Sequence, residues 1–190
     1  MSAATQAPAV RPMTAAESAV MRSAVYDRVF ELARRRQLTV AVHSGVWDDF
    51  RDSQPTHLIP VAARYPDVAF DLFHLGAPYV REAVMIGKMF ANVSLNLCWN
   101  AVMSPELTAQ MLDECLDLIP VNRLILFGGD YNLPVEKVYG HLIMAKEIAA
   151  RVLAKRIRRA EMDRAEALRI ANLWFHDNAA SIYRLRKDSR

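Results

Sequence analysis

Three polar residues each close a short apolar run: His43 ends Leu38-Thr-Val-Ala-Val-His43, His74 ends Val68-Ala-Phe-Asp-Leu-Phe-His74, and Asp130 follows Arg123-Leu-Ile-Leu-Phe127 across Gly128-Gly129. Runs that are apolar on both faces belong to parallel sheets. The carboxyl end of such strands is where α/β folds assemble their sites. Imidazole and carboxylate are the usual ligands for zinc or a similar divalent ion. A single histidine at a strand end is most simply a hydrogen-bonded polar residue. Three such residues on three strands, all at one edge, point instead to a shared site.

The elements that must position them alternate. Thr14 and Glu17 have the spacing of a capping box, and Val20, Met21, Ala24, Val25, Val29, Leu32 and Ala33 form an apolar stripe on a helix ending near Arg36. Helices over about Pro55 to Tyr65 and Tyr79 to Met89 precede the strands Val68–His74 and Asn92–Leu97. Ser104 with Pro105 opens a helix to about Leu118, which leads to the strand Arg123–Phe127. Strand starts recur roughly every 24 to 31 residues, the length of a βαβ unit. Beyond Pro134 the pattern is helical, over about Val135–Arg159, Asp163–Trp174 and Asn178–Tyr183. The expected fold is α/β, a partial (β/α) TIM barrel of about four parallel strands with flanking helices. Residues 1–13 are expected to form a disordered lead-in, and residues 14–190 the half-barrel with its C-terminal helices.

Composition narrows the function classes. With 190 residues, 53% of them hydrophobic and 24% charged, the chain suits one globular domain and excludes collagen-like and wholly disordered classes. Two cysteines, Cys98 and Cys115, cannot build a disulfide scaffold or a Cys-rich zinc module, so reduced thiols and a cytoplasmic location are expected. A net charge of +3 gives no nucleic-acid saddle. No apolar run is long enough to span a bilayer, and the N-terminus does not read as a secretory signal. Neither a phosphate-binding glycine loop nor a Gly-x-Ser-x-Gly elbow occurs. Arg151, Lys155, Arg156, Arg158, Arg159 and Arg164 read as a solvated helix face. His57, His141 and His176 are too scattered to pair as ligands, and Cys98 reads as a buried thiol beside Trp99.

The segments Val42-His43-Ser44-Gly45, Phe73-His74-Leu75-Gly76 and Phe127-Gly128-Gly129-Asp130-Tyr131 resemble the fifth, sixth and eighth strands of the amidohydrolase superfamily. The likeness is to the amidohydrolase-related branch that also holds decarboxylases, lactonases and relatives of uronate isomerase. Pro66-Asp67, Asn92-Val93, Cys98-Trp99, Pro120-Val-Asn-Arg123, Glu136-Lys-Val-Tyr-Gly-His141 and Asp177-Asn178-Ala179-Ala180 with Tyr183 extend it over roughly Ala16 to Leu185. The resemblance implies a metal-dependent hydrolase in which metal-activated water attacks a C–N or C–O bond of a small, carboxylated or aromatic substrate. His43 would ligate the metal. His74 would ligate a second metal or hydrogen-bond the substrate's polarised oxygen. Asp130 would bind metal and take the proton of the attacking water. Tyr79, Arg81, Trp99, Asn100 and Tyr131 lie on the following loops, where they would contact the substrate. The metal implied is zinc, with manganese the other candidate.

The sequence departs from that family in one respect: no His-x-His pair, the family's first-strand ligand motif, occurs anywhere. A full barrel also needs about 250 residues. The expectation is therefore the carboxyl-terminal half of such an enzyme, with two open sheet edges and an uncovered inner face. Such a half would form a homo-oligomer, pair with a chain that completes the barrel, or be a truncated product. No nucleic-acid or membrane partner is expected. Two alternatives stand beside hydrolysis: a catalytically incomplete half-barrel fragment or interaction module, and a decarboxylase-, lactonase- or isomerase-type use of the same site.

Overall fold

The computed structural model describes residues 11–47, 49–131 and 135–185. In chain order the elements are α1 (Ala15–Arg36), β1 (Thr39–Val42), a 3-10 turn (Pro55–Leu58) leading into α2 (Ile59–Arg64), β2 (Ala69–Leu72), α3 (Val80–Met89), β3 (Val93–Asn96), α4 (Asn100–Met103), α5 (Pro105–Leu118), β4 (Leu124–Ile125), α6 (Glu136–Arg158), α7 (Arg164–Asn172), a π-helical turn (Leu173–Asp177) and α8 (Asn178–Ile182). The helix starts follow from their caps. Thr14 and Glu17 form the reciprocal capping box of α1, Ser104 caps α5 ahead of Pro105, and Asp163 caps α7. Among the described residues no helix is long and apolar enough to cross a membrane.

The four strands are all parallel and pair in chain order, β1-β2-β3-β4. A sheet wound in one direction, with each strand beside its predecessor, is the arrangement of a (β/α) barrel rather than of a doubly wound sheet. The structure is therefore half of such a barrel. Side-chain alternation divides its two faces. Phe70, Leu72, Val93 and Leu95 are fully buried on the helix side. Phe70 meets Phe30 of α1 edge-on at 5.7 Å, and Gly87 lets α3 approach Leu95 so closely that a Cβ there would lie 2.9 Å from it. Each fully buried Leu or Phe contributes roughly 1.5–3 kcal/mol. The register pairs Ala41 with Asp71 and Asp71 with Ser94, so these, with Asn96, occupy the inner face.

The structure corrects several expectations. β2 stops at Leu72 instead of reaching His74, because His74 and Leu75 take left-handed backbone (φ 59° and 47°) and break the ladder. β4 is only two residues long; beyond it, the Leu126 amide bonds to the Trp174 carbonyl of the π-helical turn at 3.0 Å. The inner face is partly covered, since the C-terminal helices fold across it. Thr39 Oγ1 donates to the Ile182 carbonyl (2.5 Å), Asn178 Nδ2 to those of Val121 and Leu124 (2.7 Å each), and the Tyr183 hydroxyl to Asp71 (2.6 Å). Among the described residues β1 pairs only with β2, which leaves its other edge open.

The basic run is not a uniformly solvated face either. Arg156 is buried and binds Asp113 (2.5 Å), Asp117 (2.7 Å) and Glu161 (2.9 Å), clamping α6 to α5. Removing Arg156 leaves the largely buried Asp113 carboxylate without its guanidinium partner, whereas Asp117 and Glu161 remain open to solvent. Arg156→Ala is expected to cost about 3 kcal/mol in urea unfolding. The exposed neighbour Arg158→Ala should cost about 0.5 kcal/mol or less.

Candidate active site

The site is built from the loops at the carboxyl edge of the sheet. His43 continues the alternation of Thr39 and Ala41 and so stands on the inner face, exposed. The loop after it is tied to the loop after β2. Ser44 Oγ donates to the Phe73 carbonyl (2.8 Å) and the Val46 amide to that of Ala77 (2.8 Å). Gly45 makes this possible: its φ is +78°, and a Cβ there would lie 1.8 Å from the Ala77 oxygen. The result sets the His43 ring against that of His74, with centroids 4.8 Å apart at 70°.

Continued strand alternation would have carried His74 to the helix side with Leu72. Its left-handed backbone instead brings it beside His43. There it is fully buried, with Nδ1 2.9 Å from the Cys98 carbonyl. A carbonyl oxygen can only accept, so Nδ1 carries the proton and Nε2 keeps its lone pair. That Nε2 is buried and has no partner among the described residues. Burial pushes the His74 pKa down and the neighbouring His43 lowers it further. The Cys98 carbonyl and the charge of Asp130 restore only part of this. The imidazole is therefore neutral near pH 7.

A buried hydrogen-bond chain fixes that arrangement from below. The Tyr183 hydroxyl and Asn96 Nδ2 (2.9 Å) both donate to Asp71 Oδ2. Asn96 Oδ1 accepts from the Cys98 amide (3.0 Å), and the Cys98 carbonyl receives His74. Asn100 Nδ2 also donates to the His74 carbonyl (3.1 Å). Burial raises the Asp71 pKa against the two hydrogen bonds that lower it. Asp71 was missed from the sequence, although a carboxylate inside the run Val68-Ala-Phe-Asp-Leu-Phe was its signal.

The remaining sequence-predicted residues divide. Asp130 sits exposed at φ 44°, near enough for its charge to act on both His74 and Cys98. Trp99 and Tyr131 come together at 5.0 Å, and Trp99 Nε1 donates to the Asp130 carbonyl at 3.3 Å. Tyr79 packs on Phe50 at 6.1 Å, and Arg81 is engaged by Glu114 of α5 at 3.0 Å. His141, set aside in the sequence, belongs to the wall of the site. It is buried, accepts from the Tyr131 hydroxyl at Nδ1, and lies 6.3 Å from Trp99. His57 and His176 are exposed and bond to Asp52 and Asp177 respectively. Burial pushes the Cys98 thiol up to about 12, which keeps it protonated and unreactive.

His74 has the state that metal-binding histidines adopt, one ring nitrogen anchored to a carbonyl and the other presenting a lone pair. Yet no set of three His, Cys, Asp or Glu side chains converges as a cation site among the described residues. The residues fit part of a metal site and not the whole of one.

The amidohydrolase family profile matches residues 6–185, and the chain belongs to that family. It is 33% identical over 97 residues to Protein fluG of Emericella nidulans, a stretch covering 49% of this chain and 11% of that protein. It also superposes on the crystal structure of a Lactobacillus casei protein assigned as a metal-dependent hydrolase, with a TM-score of 0.72 and 19% identity over 86% of this chain and 44% of that one. The second likeness is one of fold. The chain spans less than half the length of either protein.

Burial depresses the pKa values of both His74 and His141 below 6.5. The unfolded chain then binds more protons than the folded one in the interval beneath about 6.5, so their contribution is complete above that pH and is lost as the pH falls. Calorimetry from pH 7.5 to 5.5 should show a falling melting temperature; a flat or rising trend would contradict this reading of the two imidazoles.

Proposed function

We propose that this chain carries the carboxyl-edge half of an amidohydrolase-type site that hydrolyses a C–N or C–O bond of a small molecule with a divalent metal, zinc or manganese. The observation that carries the reading is the buried, neutral His74 with its unpartnered Nε2 beside His43. Family membership supports hydrolysis as the reaction class. His74 and His43 would supply imidazole donors, and the remaining donors would come from outside the described residues. A bound divalent ion of this kind acidifies water and polarises a carbonyl.

Within the chain's own residues, Asp130 is the base that accepts a proton from the attacking water. Its exposure leaves it open to solvent, and Trp99 holds its backbone through the indole N–H. A lone pair at His74 Nε2 cannot donate to a substrate oxygen, which favours ligation over hydrogen bonding as its role. Two buried free cysteines support a cytoplasmic location.

A second reading is favoured by the incomplete donor set: a half-barrel that works only when joined to the rest. The open edge of β1 and the exposed stripe of Met21, Val25, Val29 and Leu32 on α1 (40–54% exposed) support pairing with a chain that completes the barrel, or with a second copy.

Metal analysis and hydrolysis of an amide and ester panel test the first reading on the purified protein. A divalent metal lost in His74→Ala, and turnover reduced about 100-fold or more in Asp130→Asn, are the expected results. Absence of metal after reconstitution would leave the half-barrel reading, which predicts a paired species in sedimentation; a compact single-chain species would count against it.

A further inference from the structure

Helix α1 is long and barely buried. Of its 22 described residues only Ala33 is buried, although a helix of that length runs about 33 Å. One face attaches it to the rest of the chain. Phe30 packs on Tyr65 at 5.1 Å and on Phe70 at 5.7 Å, while Asp27 accepts from the Tyr65 hydroxyl (2.5 Å) and from Arg64 (3.2 Å). Met21, Val25, Val29 and Leu32 recur at three- and four-residue steps on another face, and all four are 40–54% exposed. A helix held in water by so few buried groups normally covers such a stripe with a partner.

Two observations select that partner. Two copies joined into one barrel would need β1 of each beside β4 of the other, and the β4 side of the sheet is taken. There the Leu126 amide bonds to the Trp174 carbonyl (3.0 Å), and Asn178 donates to the carbonyls of Val121 and Leu124 (2.7 Å each). The second observation is that α1 complements itself when reversed. Glu17 and Arg35 stand about five helical turns apart and so lie on one line beside the stripe. An antiparallel pair with Met21 opposite Leu32 and Val25 opposite Val29 brings each Glu17 to the other copy's Arg35.

Both of these side chains stay open to solvent, at 45% and 60%, despite their bonds to Arg11 and Glu31. Such exposed charges set orientation more than strength. A parallel pair would instead stack Arg34, Arg35 and Arg36 on their counterparts and align the two helix dipoles. An anionic lipid surface is the poorer match. Arg34 and Arg35 share Glu31, which leaves less free positive charge beside the stripe.

We propose that this face of α1 takes α1 of a second copy, antiparallel across a two-fold axis, with Met21 against Leu32. A patch that meets itself closes at two copies and generates no filament. The inference rests on the half-barrel reading, for which it names the partner and its orientation.

Sedimentation of the purified chain from about 5 to 500 μM should show a monomer passing into a dimer. Val25→Glu, close to the axis, is expected to weaken the dimer about 10-fold or more. Because Val25 is half-exposed, that variant should keep the wild-type melting temperature in dilute solution. Mild oxidation reads the orientation. Met21→Cys mixed with Leu32→Cys should give a mixed disulfide. Neither variant alone should cross-link, since equivalent positions would lie about 16 Å apart along the pair, beyond disulfide reach. Cys98 and Cys115 are buried and do not compete. A dimer that survives Val25→Glu, cross-links in either single variant, or gives no mixed disulfide would overturn the antiparallel pairing and keep the half-barrel reading. A chain that stays single at every concentration would overturn the pairing and count against that reading as well.

Discussion

The hydrogen bond from His74 Nδ1 to the Cys98 carbonyl is the constraint on which the site depends. It joins the loop after β2 to the loop after β3, fixes the tautomer of a buried imidazole and leaves one ring nitrogen with an unused lone pair. Both ends are held by further contacts. The backbone of His74 is fixed by Asn100, and that of Cys98 by Asn96, which is bound in turn to Asp71 and through it to Tyr183. A residue near the end of the described chain thus helps to hold a ring more than a hundred positions earlier. The C-terminal helices belong to the site as well as to the packing.

The two faces of the sheet have separate tasks. Stability is concentrated on the helix side, where Phe70, Leu72, Val93 and Leu95 are sealed from water. The inner face and carboxyl edge carry the polar and strained features. Trp47, His74, Leu75, Trp99 and Asp130 all have positive φ, whereas the other non-glycine residues of that kind among the described residues, Gln37, Ala160 and Arg184, close helices. Left-handed backbone costs roughly 1–2 kcal/mol per residue for L-amino acids. Five such residues at one edge are tolerated because the apolar face beneath them offsets the cost.

Much of this was legible in the sequence, for identifiable reasons. The capping signals at Thr14, Ser104 and Asp163 are local chemistry and mark real helix starts. The β-branched runs mark the four parallel strands, and the residues at their ends mark the edge where His43 and His74 meet. The end of β2 was not legible, because apolar content continues through Phe73 while the backbone turns left-handed one residue later. Asp71 and Tyr183 could not be paired from spacing, since their contact closes 112 residues of chain. Arg156 resembled its basic neighbours until tertiary packing placed it over Asp113 and Asp117. His141 fell within the family likeness of the Glu136–His141 run but had no partner in the sequence, because its place beside Tyr131 depends on how α6 lies against the loop after β4.

The lone pair at His74 Nε2 is the central claim, and the ring nitrogens can be observed directly. Long-range 1H–15N correlation of the His74 imidazole in metal-free protein at pH 7 should show a protonated Nδ1 and a bare Nε2. A ring protonated at Nε2, or at both nitrogens, would contradict the account, because no donor atom would then face the site.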